Sequence, residues 1–313
     1  MTEDARQAPI LAAFSPRSPG REPVEFGIAA SRITGAPLTI LAIRQGGPLV
    51  RRLAGDIDDD GAAIKHLRVE LQRRHVAAEV VVREARTVGG GLTAALKELA
   101  PQMIALGSTH RGAAGSALLG TNVERVIHSA ACPVAVVPQG YRRPEEGVRV
   151  IGAAFVPTPE GREALRSAAA LARSGSVKLR ALAVLDPKLA TEQGHGMLAE
   201  QHRDVDPDQA AEARHGMAEQ LGLKQALAEM AHGVDAEVDI LYNDPADGLI
   251  AASRHVDLLV MGSRAHGPRR ATILGSVSRK VAEQAACPVL ILPRGASETT
   301  AALISHAEAL GPS

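Results

Sequence analysis

Ala131-Cys132-Pro133-Val134-Ala135-Val136-Val137-Pro138-Gln139-Gly140 returns 155 residues later as Ala286-Cys287-Pro288-Val289-Leu290-Ile291-Leu292-Pro293-Arg294-Gly295. The same offset relates Gly107-Ser108 to Gly262-Ser263, and Leu119-Gly120-Thr121 to Leu274-Gly275-Ser276. Three segments in one register imply a duplication, and so long a period means two whole domains rather than a solenoid. A chain of 313 residues is long enough for two ordinary cores. The domains are placed at 1–143 and 144–313, the boundary falling in a linker at 138–149 that contains Gly140, Pro144 and Gly147.

Outward from the repeat, each half alternates apolar runs with helical patterns. In the first half the runs at 10–14, 37–43, 77–82, 102–107 and 134–137 read as strands. Their counterparts are 148–155, 177–185, 236–242, 258–262 and 289–292, with helical patterns between them such as 162–173 and 208–231. Near-continuous apolar strands separated by helices predict an α/β fold with two tandem, open, five-stranded parallel sheets covered on both faces. The fifth strands, 134–137 and 289–292, are apolar and lie at sheet edges, and exposed apolar edges invite pairing. The halves are therefore expected to pack through them as a pseudo-twofold pair. A further homodimer of the tandem chain is left open.

Composition excludes several classes. Lys plus Arg and Asp plus Glu are 35 each, so charge gives no argument for nucleic acid or an anionic membrane surface. Aromatic residues are confined to Phe14, Phe26, Phe155, Tyr141 and Tyr242, too few for a base-stacking platform. No apolar run approaches the ~18 residues of a membrane span. The start, MTEDARQAPI, has no secretory pattern, and the expected compartment is the cytoplasm. Cys132 and Cys287 repeat one local sequence and read as two buried thiols, one per domain, rather than a disulfide.

In open α/β sheets, ligands sit beyond the carboxyl ends of the strands where strand order reverses, which directs attention to the loop after each fourth strand. In the second half that loop runs from Gly262 to Ser278 through Ser263, Arg264, Gly267, Gly275, Ser276 and Val277. Glycines there let backbone approach a ligand closely, and hydroxyls at a helix start suit a phosphate. The pattern is neither a Walker loop nor a GxGxxG turn. In isolation it also fits an ordinary turn with a serine cap.

At these residues the sequence resembles the universal stress protein family. The resemblance rests on Gly262, Gly275-Ser276 and Cys287-Pro288, repeated as Gly107, Gly120-Thr121 and Cys132-Pro133, and covers nearly all of both halves. It implies an adenine nucleotide α-hydrolase-like fold with strand order 3-2-1-4-5 in each half. It also implies an adenine nucleotide, ATP with or without Mg2+, held as a regulatory ligand. By the same resemblance Gly262, Gly275, Ser276 and Ser278 take phosphate or ribose roles, as do Gly107, Gly120 and Thr121. Met261, Ser263, Val277, Ser108 and Asn122 flank them. Ala154, Phe155, Val156 and Pro157 with Ala183, Val184 and Leu185 would line one adenine pocket. Ala13, Phe14, Ser15 and Pro16 with 42–44, centred on Ile43, would line the other. The family's middle glycine is replaced by Ala265 and His110, with Gly267 and Gly112 two residues on, and the aspartate ending the first strand by Val156 and Ser15.

The halves differ in charge. From 262 to 280 the charged residues are Arg264, Arg269, Arg270, Arg279 and Lys280, whereas Thr121 and Glu124 match a capping box in the first half. Cations in a helix's first turn oppose the macrodipole unless an anion is near, so nucleotide is expected mainly in the second half. His195, His202, His215 and His232 lack metal-ligand spacing. His110 and His266 read as polar lining of the loops. Asp244-Pro245 reads as a helix cap, and Gly89-Gly90-Gly91 as a turn before a helix. With no nucleophile–base pair evident, an enzyme is not expected. The alternative to a nucleotide-binding module is an interaction protein of the same fold with degenerate sites and no cofactor.

Overall fold

The computed structural model describes residues 7–17, 20–46, 59–108, 119–186, 216–219, 221–263 and 274–293. The first half runs β1 (Ile10–Phe14), α1 (Glu22–Thr34), β2 (Leu38–Gln45), α2 (Asp59–Arg73), β3 (Ala78–Ala85), α3 (Val88–Leu99), β4 (Met103–Gly107), α4 (Thr121–Ser129) and β5 (Val134–Val137). The second runs β6 (Val150–Ala154), α5 (Pro159–Gly175), β7 (Lys178–Leu185), α6 (Leu223–Met230), β8 (Ala236–Tyr242), α7 (Pro245–Ala252), β9 (Leu258–Gly262), α8 (Ser276–Gln284) and β10 (Val289–Leu292).

The strands form one sheet in the order β3-β2-β1-β4-β5-β10-β9-β6-β7-β8. Within each half every pairing is parallel, in local order 3-2-1-4-5. The halves meet through their fifth strands, as the apolar edges predict. β5 and β10 pair antiparallel, with Val289 opposite Val136, Leu290 opposite Ala135 and Ile291 opposite Val134. Bare apolar edges are satisfied by hydrogen-bonding to each other, so the two sheets become one of ten strands. This pairing also turns the carboxyl ends of the two strand sets in opposite directions.

Side chains alternate along the strands into two cores. Ile10, Ala12, Phe14, Ile40, Ala42, Met103 and Ala105 face α1, α2, α5 and α6. Leu11, Leu41, Ile43, Ile104 and Leu106 face α3, α4, α7 and α8. Burial on both faces is why these strands read as unbroken apolar runs.

Local chemistry sets the helix ends. Pro23 and the acids Glu22 and Glu25 open α1, and Gly35 closes it at φ 67°. The helix expected over 208–231 is, in its described part, helical at 216–219 and again as α6, with a break at Gly222, which is left-handed at φ 64°. The glycine triplet 89–91 is not a turn but the first turn of α3. Thr87 caps that helix by accepting the Gly90 N–H at 3.1 Å. A Cβ on Gly91 would lie 2.8 Å from Ile43 Cγ2, so the small residue lets α3 sit close on β2.

Candidate functional site

The first half carries a cavity of about 820 Å³ at the carboxyl ends of β1, β2, β4 and β5. Sheet order reverses between β1 and β4, the position at which open α/β sheets leave a crevice. Its floor is apolar: Ala13, Phe14, Leu41, Ile43, Leu106 and Val137, with Val88 and Leu92 from α3, Pro23 from α1 and Val123 from α4. Ser15, Ser108, Asn122 and Gln139 supply neutral polar groups, and Arg17 and Glu22 stand at the rim. An apolar slot with a few convergent polar groups suits a small organic ligand with one polar end.

The structure therefore brings together Ala13, Phe14, Ser15, Ile43, Gly107, Ser108 and Asn122 of the expected residues. Pro16 lies in the turn that follows Ser15, Gly120 precedes α4 as its N-cap, and Thr121 is its exposed first residue. Gly112, His110 and Arg111 lie outside the described residues. Residues not anticipated include Arg17, Glu22, Leu41, Val88, Leu92 and Gln139. The i, i+4 apolar spacing of Val88 and Leu92 was a readable sign of a helix face turned inward.

Charge at the rim is spoken for. Glu22 Oε1 accepts the Gly140 N–H at 2.8 Å, tying the linker to α1. Arg21 lies 4.8 Å from the Phe14 ring centroid, a cation–π contact. Arg17 reaches Asp60 at 3.3 Å with its side chain 74% exposed, a pair weak enough to exchange for an anionic ligand.

The second half differs at the equivalent place. Its first-strand loop has four residues, 155–158, against seven, 15–21, in the first half. Thr158 caps α5, and its own N–H donates to Val156 O at 2.7 Å. A Cβ on Gly161 would sit 2.1 Å from Val156 O, so the loop is folded directly onto the helix start. Phe155 is buried, with its N–H on Leu182 O at 2.8 Å. Ala154 and Val156 are half-buried and Pro157 is exposed. Ala183 is buried, Val184 packs against Gly248 of α7, and the Leu185 carbonyl accepts the Asn243 N–H at 3.1 Å.

Gly262, Ser263 and Gly275 do converge: the Ser263 carbonyl accepts the Gly275 N–H at 2.9 Å. Met261 is buried beneath them, Val277 half-buried, and Ser276 exposed at the start of α8. Ser278 faces inward rather than toward solvent. It is 4% exposed, and its Oγ donates to the Gly262 carbonyl at 3.0 Å, tying α8 to β9. Arg264, Gly267, His266, Arg269 and Arg270 lie outside the described residues.

Two electrostatic expectations are corrected. Thr121 and Glu124 form no capping box, for α4 has Gly120 as its N-cap and no side-chain cap bond. The Glu124 carboxylate instead pairs with Arg279 of the second half, a charged partner stronger than a neutral amide. Arg279 thus needs no phosphate to offset the dipole of α8. Nor does Lys280, which lies 2.7 Å from Asp247 and 3.8 Å from Asp244. The hydrogen bond to Asp247 raises the Lys280 pKa. Asp244 keeps its expected role, accepting the Ala246 and Asp247 N–H groups at 3.1 and 3.2 Å.

Among the described residues no group of His, Cys, Asp and Glu could hold a metal ion. Among them, too, no helix is long and apolar enough to cross a membrane.

The fold and the glycine-bearing loops can be set against known proteins. The family model of the universal stress protein family matches residues 8–138 and again 148–293. Universal stress protein Rv2319c of Mycobacterium tuberculosis (strain ATCC 25618 / H37Rv) is 27% identical over 214 residues, covering 67% of this chain and 70% of that protein. Rv2005c of the same strain is 28% identical over 193 residues, 61% of each. Among solved structures, a universal stress protein from Archaeoglobus fulgidus DSM 4304 superposes with a TM-score of 0.55 at 19% identity, covering 93% of this chain and all of that one. Protein PA1789 from Pseudomonas aeruginosa PAO1 superposes with a TM-score of 0.64 at 16% identity, covering 96% and 97%. Two matches to one family, in register with the internal duplication, account for both halves: the chain belongs to the universal stress protein family, in a tandem two-domain form.

Proposed function

We propose that this chain binds an adenine nucleotide as a regulatory ligand, and that the first half is the principal site. The observation that carries the reading is the cavity at the β1–β4 reversal, which gathers Ala13, Phe14, Ser15, Ile43, Gly107, Ser108 and Asn122 around an apolar floor. The base would lie on Leu41, Ile43 and Leu92. The phosphates would point toward Ser108 and the start of α4, where unpaired helix N–H groups favour an anion. ATP, with or without Mg2+, is the nucleotide to test first. This reading moves the principal site from the second half, because the pairing of Arg279 and Lys280 with carboxylates removes part of the charge argument made for it.

The test is titration calorimetry with ATP on the parent, Asn122→Ala, and Val277→Ala at the equivalent position of the second half. Loss of one neutral hydrogen bond in Asn122→Ala should weaken binding about two- to tenfold. Val277→Ala should leave affinity within twofold, roughly the scatter of a distant and independent site. Equal losses would refute the assignment to the first half. No binding by the parent would favour the interaction protein with degenerate sites.

A further inference from the structure

The two halves meet through more than their edge strands. Glu124 in the first turn of α4 and Arg279 in the first turn of α8 are equivalents under the duplication, 155 residues apart, and they pair with each other. Equivalent residues that touch must straddle the pseudo-twofold axis. One turn further along α8, Glu283 Oε1 accepts the Leu119 N–H at 3.4 Å. Leu119 immediately precedes Gly120, from which α4 starts and carries Asn122 to the cavity.

The reciprocal contact is not made. The equivalent of Glu283 is His128, which would have to reach Leu274. His128 Nε2 is buried and finds no hydrogen-bond partner among the described residues. The backbone hydrogen bond therefore runs one way, from the second half to the loop of the first, while the Glu124–Arg279 pair is shared. What the first half gains has two physical parts. Glu283 fixes the backbone just before the start of α4. Arg279 neutralises Glu124, whose bare carboxylate would otherwise stand in the first turn of α4 and repel a phosphate there.

We propose that Arg279 and Glu283 are positioning residues for the nucleotide site of the first half, so that the second half sets the affinity of a site it does not line. This rests on the nucleotide reading above.

The experiment uses the full chain and ATP, with calorimetry on the parent, Arg279→Glu, Glu283→Ala, Glu283→Gln, and the exchange variant Glu124→Arg with Arg279→Glu. A half-exposed ion pair is modest, so Arg279→Glu should weaken ATP binding about fivefold. The exchange restores the pair and should restore the affinity. Glu283→Ala should weaken binding about two- to fivefold. Glu283→Gln keeps an acceptor oxygen and should bind as the parent does. A merely structural role would lower the melting temperature of the variants yet leave their ATP affinity unchanged. That result overturns the proposal while the nucleotide reading stands. Amide hydrogen exchange at Leu119 without nucleotide supplies a separate readout. If the parent binds no ATP, the nucleotide reading fails on its own. Faster exchange at Leu119 in Glu283→Ala then still supports positioning, and unchanged exchange overturns it.

Discussion

The axis relating the halves passes between Ala135 and Leu290, and this makes the seam open to a sharp test. The two residues are equivalents in the duplication and face each other in the β5–β10 ladder. Both are fully buried in the core beneath α1 and α5. One is large and one small, so a symmetric backbone is filled by an asymmetric pair. Leu290→Ala removes three carbons at about 0.8 kcal/mol each, and the cavity left behind raises the loss to about 3–4 kcal/mol. Ala135→Leu forces the same volume against Leu290 and should cost about 1–3 kcal/mol. The exchange variant, Ala135→Leu with Leu290→Ala, conserves volume and only reflects the pair across the axis. It should cost less than about 1.5 kcal/mol. Guanidinium unfolding of the four proteins, compared at matched slope, gives the cycle. A double variant whose loss equals the sum of the single losses to within about 0.5 kcal/mol would refute a shared, twofold-related core at this seam.

Three other outcomes are expected. Gly161→Ala drives a Cβ onto Val156 O at 2.1 Å, a backbone atom that cannot swing away, and should destabilise the fold by about 1–3 kcal/mol; a parent-like melting temperature would count against the tight second-half loop. Asp244→Ala strips the α7 cap of two amide contacts and should cost about 1 kcal/mol, with Asp244→Asn recovering most of it in the same denaturation assay. Cys132 and Cys287 are free and buried, and burial pushes both thiols up to about 12. Labelling of the native protein should be slow and should rise about tenfold per pH unit from 8 to 10 as thiolate forms; rapid labelling at pH 8 would contradict this burial.

Strands bounded by Pro or Gly were legible to the residue, as at 134–137 and 289–292, because an apolar run and its punctuation both speak there. β3 runs on to Ala85, past the expected end at 82, because Arg83 and Glu84 lie on an outer strand of the sheet. There a charged side chain can reach solvent with its end, and Arg83 also pairs with Glu98 of α3. Glycine content misled at 89–91, since Thr87 caps a helix that needs small residues for close packing. In the candidate site, topology pointed to the loop after the fourth strand and so to Gly107, whereas Ala13, Ile43 and Asn122 came from the family resemblance. Val88 and Leu92 showed only the spacing of an inward helix face, and Gln139 showed nothing, since their arrival at the cavity depends on how α3 and the linker pack. The Glu124–Arg279 pair was hidden for a different reason. Read within one half, Glu124 has a local partner in the capping box. Only the axis supplies the stronger one, although opposite charges at duplicated positions were there to be noticed.

That pair also bears on why a duplicated chain would keep unequal halves. In a homodimer, positions facing each other across the twofold are identical, so a residue such as Glu124 would meet its own copy and repel it. Duplication lifts that constraint: one copy becomes Arg279 and the contact turns attractive. The same freedom lets Val123 line a cavity while its equivalent, Ser278, spends its hydroxyl on the Gly262 carbonyl. It lets a cavity stand open after β1 while the four residues after β6 close on Gly161. These differences open room in the first half, close it in the second, or join the two. None disturbs the strand order that both share, because the changes fall in loops, in helix first turns and at the axis, outside the ladder hydrogen bonds that define the sheet. Unequal halves are thus reachable by substitutions and changes of loop length, with the ten-stranded sheet intact at every step.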